Sequence, residues 1–266
     1  MKNQPRNRSD AARRRKSVTR QKNNDFQPLP EGQVWLWGVH AGQAAVENAQ
    51  RRILSGYVTR NAAIKIDLDP DNLPERFSLC DPAEIDQRLP SGAVHQGVAL
   101  IATELPGEDL GDIAARGEGP VVILDQVTDP QNVGAIMRSA AAFGVKAVIM
   151  QTRKSPPLMG ALAKAAAGAV ETIPDIRVVN IARAIDTLRG ANWHVVGLAG
   201  ETETELKSAF DTSAPLAIVL GAEGPGLRPA VAKACDELAR IPIHSQMESL
   251  NVSNAAAIAF YEAAKN

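Results

Sequence analysis

Residues 218–227, IVLGAEGPGL, place three glycines directly after an apolar, β-branched run. A glycine loop at the end of a buried strand lets the backbone approach a ligand. The spacing GxxGxG is not the GxGxxG dinucleotide fingerprint, and no Gly-Lys pair follows as in a phosphate-binding P-loop. In a Rossmann-type fold the glycine loop follows the first strand, whereas here only 40 residues follow Gly226. The stretch therefore predicts an α/β sheet whose ligand loop comes late, and it disfavours a Rossmann-type nucleotide enzyme.

Upstream of this loop, apolar runs alternate with helical patterns. VVILD (121–125) and LAIVLG (216–221) are uninterrupted apolar runs, as expected for strands that are covered on both faces in a parallel sheet. Asp129 and Pro130 predict a helix start, with Asp as N-cap and Pro in the first turn. Five or six such strands with intervening helices predict an open, mostly parallel sheet over residues 120–266.

A smaller α/β unit is predicted over residues 33–105. Within it, the apolar pattern predicts one amphipathic helix over residues 40–54, a strand over residues 63–68 and a capped helix over residues 81–89. Residues 106–119 are rich in glycine and charge, and they are predicted to be a linker with at most one helical turn.

The N-terminal segment, residues 1–32, is predicted to be a disordered basic tail, because it has no apolar run that could form a core. Residues 1–22 contain nine Lys or Arg and one acidic residue, so the rest of the chain carries about −9 although the net charge is −1. A tail that contacts polyanions, an inert terminus and an organelle transit peptide all fit this composition. Any RNA binding by the acidic body requires a local basic patch.

The composition also excludes several classes of protein. No stretch reaches the roughly 18 uncharged apolar residues of a membrane span. Cys80, Cys235 and the four scattered histidines match no metal or redox spacing. We therefore predict no metal site, no membrane segment and a reduced, cytoplasmic setting.

A second segment with chemical potential is TDPQNVGAIMRSAAAFG (128–144). Asn132 falls in the first helical turn, where its amide can reach a ligand or the preceding loop. Gly134, Ala135 and Arg138 are predicted on one face, where small residues let another group approach closely. An ordinary surface arginine is the alternative interpretation.

The third segment, residues 241–264, begins IPIHSQMESLNVS and continues into an Ala-rich helix. Ser249 and Asn251 flank Leu250 at the predicted helix start. Plain N-capping would explain either polar residue. The helix is apolar nearly all round, which predicts burial in the domain or in a subunit interface.

Taken together and in order, DPQNVGAIMRSA, VLGAEGPGL and IPI…SLNVSNAAAI resemble the three motifs of the SpoU/TrmH branch of the SPOUT RNA methyltransferases. The resemblance covers about residues 120–264. Residues 33–104 resemble the ribosomal-protein-like RNA substrate-binding module that precedes this domain in some members, through GVHAGQAAVENA and His95-Gln96-Gly97. Members with that module look most like the bacterial enzyme that methylates a guanosine ribose in the peptidyl-transferase region of 23S rRNA.

The resemblance implies a homodimer with the active site near its interface and with a deep trefoil knot in the C-terminal sheet. It also implies S-adenosylmethionine as the methyl donor and an RNA ribose 2′-hydroxyl as the acceptor. Apolar side chains and free backbone groups suit the adenine and thioether chain of this donor. By correspondence with the motifs, the donor pocket would be lined by Leu220, Gly221, Ile241, Ile243 and Leu250.

The resemblance also assigns polar roles. The position of Arg138 is credited in the family with base catalysis assisted by an RNA phosphate. Because arginine normally keeps its proton, stabilisation of the developing alkoxide by the guanidinium is an equally good account. Asn132, Glu223, Ser249 and Asn251 match polar positions that hold the arginine, the ribose or the motif loops.

Two other functions fit the same motifs. One is ribose methylation of tRNA, and the other is RNA binding by a non-catalytic protein of this fold. The N-terminal module with its His95-Gln96-Gly97 segment favours rRNA. The intact set of polar motif residues favours an enzyme.

Overall fold

The computed structural model describes residues 28–244 and 249–265. Most of the predicted basic tail, residues 1–27, lies outside the described residues. Within them, no helix is long and apolar enough to cross a membrane.

The first part of the chain forms a four-stranded sheet with helices packed against it. The strand order is β1-β4-β2-β3, in which β4 is antiparallel to both neighbours and β2 is parallel to β3. Its elements are β1 (Gln33–Trp37), α1 (Val39–Glu47), β2 (Ile53–Val58), α2 (Arg60–Lys65), β3 (Phe77–Leu79), α3 (Pro82–Arg88) and β4 (Val98–Thr103).

Two of the predictions for this region are wrong. The predicted helix over residues 40–54 ends at Glu47, because Asn48 takes an extended backbone conformation and the chain turns into β2. The predicted strand over residues 63–68 is helix α2 and the turn after it, capped by Thr59, whose side chain accepts a hydrogen bond from Ala62 N.

The predicted capped helix over residues 81–89 is confirmed as α3. The Asp81 side chain caps the third helical residue, and Glu84 accepts a hydrogen bond from the Asp81 backbone N at 2.8 Å. This capping box satisfies backbone donors at the helix start reciprocally.

The rest of the chain forms a six-stranded sheet in which every pair of neighbouring strands is parallel, as the apolar runs predicted. The strand order is β10-β8-β9-β5-β6-β7. The strands are β5 (Val121–Asp125), β6 (Val148–Gln151), β7 (Asp175–Val178), β8 (His194–Leu198), β9 (Leu216–Gly221) and β10 (Glu237–Ala239). The helices are α4 (Leu110–Arg116), α5 (Pro130–Ala142), α6 (Gly160–Ala165), α7 (Ile181–Gly190), α8 (Leu206–Ala209), α9 (Pro229–Ala234) and α10 (Val252–Ala263), with a 3-10 turn at Ala169–Glu171.

Buried side chains cover both faces of this sheet. Alternate residues of β5 enter two different cores: Val122 and Leu124 pack on the side of α5, α6 and α10, and Val121 and Ile123 pack on the side of α4, α7 and α9. This arrangement is the expected one for a parallel sheet whose strands are apolar along their whole length.

The predicted linker over residues 106–119 contains helix α4, which is longer than the single turn expected. Ile113 and Ala114 of α4 are buried, and Trp193 Nε1 donates a hydrogen bond to Ala114 O at 3.0 Å. The charged residues and glycines of the segment outnumber its two buried helical residues. Its composition therefore did not predict a packed helix.

The two sheets share one continuous core. Strand β1 packs against α6, and a Cβ on Gly160 would lie 2.4 Å from the Trp37 ring. At the same junction Arg51 forms an ion pair with Glu171 at 2.7 Å, with both side chains almost fully buried.

The topology has a switch point between two neighbouring strands of the parallel sheet. Strands β5 and β9 are neighbours, but the chain leaves β5 toward β6 on one side and leaves β9 toward β10 on the other. In open α/β sheets, ligands bind outside the carboxyl ends of strands at such a switch point.

Candidate active site

A cavity of about 440 Å³ lies at the carboxyl edge of the parallel sheet, where β8, β9 and β10 end. Its wall comes from the loop after β8, the glycine loop after β9 and the segments on both sides of the undescribed residues 245–248. The five residues predicted to bind the donor all line it: Leu220, Gly221, Ile241, Ile243 and Leu250.

The glycine loop folds tightly on itself. Gly226 N donates a hydrogen bond to Ala222 O at 3.0 Å, and a Cβ on Gly221 would lie 2.2 Å from the backbone carbon of Gly226. Gly224 has a φ of 83° and open space beside it. Gly221 is therefore required because the backbone of Gly226 lies too close for a side chain. Gly224 is favoured because its positive φ suits glycine.

Glu223 joins the three motif segments. Its Oε1 accepts hydrogen bonds from Asn132 Nδ2 at 3.2 Å, from Val252 N at 3.4 Å and from Asn251 Nδ2. Asn251 Nδ2 also donates to Asn132 Oδ1 at 3.0 Å. Glu223 Oε2 accepts no hydrogen bond from the residues that the structure describes, which leaves this oxygen for a ligand.

Asn251 combines capping with this network. Its Oδ1 accepts from Ser253 N at 2.9 Å and from Asn254 N at 3.4 Å, so it is the N-cap of α10. Its amide group points the other way, to Glu223. Ser249 is exposed and lines the cavity. Asn251 therefore caps α10 and bonds to Glu223 at the same time.

Three predicted site residues do not line the cavity: Asn132, Asn251 and Arg138. Asn132 and Asn251 are connected to it through their hydrogen bonds to Glu223, but Arg138 is not. It lies six residues beyond Asn132, about 9 Å along the axis of α5, and it does not line the cavity. Its side chain is exposed and makes no ion pair with any described residue. The neighbouring Gly134 does admit a close neighbour, but that neighbour is α6: a Cβ there would lie 2.6 Å from Leu162 O.

Asp125 is a site residue that the sequence analysis missed. It ends β5 fully buried, and its carboxylate accepts hydrogen bonds from Arg228 N at 3.0 Å and Arg228 Nε at 2.8 Å. This contact fixes the point where the glycine loop enters α9. The available signal was the charge at the end of the apolar run VVILD, since a buried carboxylate requires a partner.

The two segments that resemble the substrate-binding module meet each other. Gln96 Oε1 accepts a hydrogen bond from Val39 N at the start of α1 at 3.3 Å, and Gln96 itself has a positive φ of 54°. His95 Nδ1 accepts from Gly97 N at 3.0 Å. Both segments thus lie at one end of the four-stranded sheet.

Comparisons with known proteins identify the family of the chain. A profile of the SpoU rRNA Methylase family matches residues 119–261. The chain is 38% identical over 245 residues to the 23S rRNA (guanosine-2′-O-)-methyltransferase RlmB of Vibrio parahaemolyticus, covering 87% of this chain and 96% of that protein. The RlmB protein of Escherichia coli is 39% identical over 240 residues, covering 86% and 97%.

Solved structures give the same result. The AdoMet-bound rRNA methyltransferase from Sinorhizobium meliloti matches with a TM-score of 0.72 at 25% identity, covering 88% of this chain and 87% of that one. The SpoU methyltransferase AviRb from Streptomyces viridochromogenes, in complex with AdoMet, has the same fold, with a TM-score of 0.72 at 22% identity. The profile match and the nearly full-length relatives confirm the predicted resemblance, and the chain belongs to the SpoU rRNA methylase family.

Proposed function

We propose that this chain transfers a methyl group from S-adenosylmethionine to a ribose 2′-hydroxyl of RNA, and that its substrate is a guanosine of 23S rRNA. The observation that carries this proposal is that two motif segments line one cavity and that Glu223, in its wall, accepts hydrogen bonds from the third segment through Asn132 and from the start of α10 through Asn251. The names of the relatives, all 23S rRNA guanosine methyltransferases, supply the substrate.

The residues present fit S-adenosylmethionine. A cavity of about 440 Å³ lies within the range of small-molecule sites, roughly 300–1,000 Å³. Its apolar side chains and open backbone groups suit the adenine and the thioether chain, and the carboxylates of Glu201 and Glu223 suit a cationic ligand. When bound, this cofactor supplies an electrophilic methyl group on a sulfonium centre.

The polar residues orient the acceptor. Glu223 and Asn251 hold the glycine loop against the start of α10, and Asn132 ties both to α5. Ser249 and Glu223 Oε2 offer hydrogen-bonding groups to a ribose. The Arg138 guanidinium stabilises the 2′-oxygen as it loses its proton, which lowers the barrier through the charge that develops there.

The proposal includes a homodimer in which Arg138 acts on the partner's site. Ile258 and Tyr261 of α10 are exposed at 41% and 54%, and Tyr261 packs edge-to-face on Phe143 at the end of α5. Helix α10 and the end of α5 therefore expose a partly apolar surface, and Arg138 is an exposed residue of the same helix α5. Such a face on a soluble chain suits a twofold interface.

The proposal also includes the trefoil knot of the family. After β10 at one edge of the sheet, the chain returns to α10, which packs on α5 and contacts β9. The returning segment shares one cavity with the loops after β8 and β9. This path supports a threaded chain, an exception to the usual rule against knots.

The division of labour follows the two sheets. Residues 33–105 bind RNA and residues 120–266 bind donor and catalyse transfer. The proposal places the reaction in the cytoplasm, which the free thiols of Cys80 and Cys235 support.

The test is methyl transfer from radiolabelled S-adenosylmethionine to unmodified 23S rRNA transcribed in vitro, followed by mapping of 2′-O-methyl sites. We expect label at a single guanosine ribose. Unmodified tRNA serves as a parallel substrate. Label on tRNA but not on 23S rRNA would show that the substrate is tRNA. Binding of S-adenosylmethionine without transfer to either RNA would favour a non-catalytic RNA-binding protein.

A further inference from the structure

The chain between Asp129 and Glu171 contains no acidic residue. It spans α5, β6 and α6, and it carries five cations in a body whose overall charge is about −9. These cations are Arg138, Lys146, Arg153, Lys154 and Lys164. A local basic patch of this kind is what an acidic protein needs in order to bind a polyanion.

The cations of this segment differ from many arginines elsewhere in the chain because they lack ion-pair partners among the described residues. None of its five cations forms an ion pair within residues 28–244 and 249–265. Elsewhere, carboxylates neutralise arginines at several positions: Arg51 with Glu171, Arg60 with Asp71, Arg116 with Glu108, Arg177 with Asp175, Arg189 with Asp236 and Arg228 with Asp125. The positive charge of the segment is therefore available to a ligand.

Arg153 and Lys154 lie at the same edge of the sheet as the cavity. They are exposed residues of the loop that follows β6. Strand β6 is two positions from β9 in the parallel sheet, which at the usual strand spacing is about 10 Å. If the ribose of an RNA strand lies at the glycine loop, a neighbouring phosphate of the same strand can therefore reach Arg153 and Lys154 in the loop after β6.

Lys164 lies where the two sheets meet. Its aliphatic part packs over Gly38, whose added Cβ would be 3.2 Å from Lys164 Cγ and 3.2 Å from Gln96 Oε1. The cation thus lies beside the two segments that resemble the family's RNA substrate-binding module. Lys146, by contrast, precedes β6, so it lies at the opposite edge of the sheet.

We propose that Arg153, Lys154 and Lys164 form a basic strip that binds phosphates of the substrate RNA between the N-terminal module and the donor cavity. The strip is the RNA footprint of the catalytic half of the chain. This inference rests on the proposed function for the identity of the RNA, but the binding surface itself can be tested without catalysis.

The experiment compares three variants with the wild-type chain: Arg153→Gln with Lys154→Gln, Lys164→Gln, and Lys146→Gln as the matched control. Lys146→Gln removes an exposed, unpaired cation from the same acid-free segment but from the far edge. The dissociation constant for unmodified 23S rRNA is measured over a series of salt concentrations. Calorimetric titration with S-adenosylmethionine and thermal melting report on donor binding and folding.

We expect the double variant to bind RNA roughly tenfold more weakly, with its log–log salt slope reduced by about 1.5, as for two lost phosphate contacts. Lys164→Gln should reduce the slope by about 0.8. In methyl transfer, both variants should raise the KM for RNA and keep kcat at saturating RNA. Lys146→Gln should match the wild type in every measurement.

RNA affinities and slopes of the strip variants equal to those of Lys146→Gln would overturn the inference, and so would an equal loss in all three variants. If the wild-type chain methylates 23S rRNA and the strip variants still bind like the control, only the strip is rejected. If the wild-type chain transfers no methyl group but its RNA binding depends on the strip, the proposed function is rejected and the surface stands.

Discussion

At the scale of single residues, Glu223 Oε1 couples parts of the chain that lie far apart in sequence. It accepts hydrogen bonds from α5 and from the start of α10. Hydrogen bonds to a charged acceptor contribute roughly 1.5–3 kcal/mol each, and the exposure of Glu223 reduces this contribution through solvent. The network therefore positions the motif loops more than it stabilises the fold.

Arg138→Ala should leave folding and donor binding largely intact and should lower methyl transfer by at least about 100-fold, the effect of removing an electrostatic stabiliser of a developing anion. The side chain contacts neither the cavity nor a described carboxylate, so its loss removes no structural contact. Transfer assays, donor titration and thermal melting check the three parts. Near-normal transfer would remove Arg138 from the mechanism.

Mixing the subunits tests whether Arg138 acts across the interface. Neither Arg138→Ala nor Glu223→Ala should be active alone, but mixed dimers of the two should regain activity, because one site then receives both intact residues. An inactive mixture would show that the two residues act within one chain.

The two cysteines should differ in reactivity. Burial raises the pKa of the Cys235 thiol to about 12, and burial also raises the pKa of the half-buried Cys80. Because only the thiolate reacts, we expect iodoacetamide at pH 8 to label Cys80 slowly and to spare Cys235 until the protein unfolds. Peptide mass spectrometry reads out both sites. Labelling of Cys235 in folded protein at the rate of a free thiol would contradict the burial.

The same pKa has a consequence for stability. A thiol with a raised pKa binds its proton more tightly in the folded state, so its contribution is complete below the pKa of an unfolded cysteine, about 8.5. It is lost as the pH rises from there toward 12.

At the scale of elements, strands that are buried on both faces were predictable and short helices were not. LAIVLG matches β9 residue for residue, since only a covered strand is apolar throughout. In AIKIDL, strand alternation would place Ile64 and Ile66 on one face. The structure buries Ile66 with Ala62 and leaves Ile64 59% exposed. The reason is that Thr59 caps a helix at this point, and the apolar residues of so short a helix can also be spaced like those of a strand.

The candidate site was predictable to a different degree in its parts. The cavity residues and the network of Asn132, Glu223 and Asn251 follow from the motifs. The sequence did not reveal that the small-residue face at Gly134 is filled by α6. Nor did spacing along the chain show that Arg138 lies away from the cavity, because that depends on how α5 packs in the fold.

Gly134→Ala should destabilise the fold by roughly 1–3 kcal/mol, because the added methyl would lie 2.6 Å from the backbone carbonyl oxygen of Leu162. Gly190→Ala at the end of α7 is the matched control, with no atom within 4 Å of the new methyl. The control should be neutral or stabilising by about 0.4–1 kcal/mol. Urea unfolding measures both, and equal midpoints would contradict the close packing of α5 on α6.

At the scale of the whole molecule, a buried ion pair ties the two sheets together. Arg51 bonds both Glu171 and Thr103 O, and Asn48 donates to Glu171 at 2.8 Å. The two side chains are only 3% and 2% exposed. Water therefore could not solvate the remaining charge if one partner were lost. This ion pair therefore adds to the shared core in fixing the relative position of the two halves, and the loss of either partner should be costly.

Removing one partner, as in Arg51→Met or Glu171→Leu, should destabilise the protein by roughly 3–5 kcal/mol, because a buried charge is left uncompensated. The double variant should recover most of that loss. A double-mutant cycle by urea denaturation measures the coupling. Additive losses would show that the two side chains act independently.

Deleting residues 1–25 should weaken RNA affinity and flatten its salt dependence, because nine cations are lost with the tail. RNA binding at several salt concentrations checks this, with the donor affinity as an internal control that should not change. An unchanged salt slope would identify the tail as inert.

The cavity draws its wall from residues between Leu198 and Ala255. Glu223 finds two of its three hydrogen-bond donors only at Asn251 and Val252. A nascent chain that already contains the whole N-terminal sheet therefore lacks the complete cavity. The cavity forms only after α10 has been synthesised and has packed against α5. On the proposed function, chains that stop short of α10 should therefore transfer no methyl group, even where the N-terminal sheet is complete.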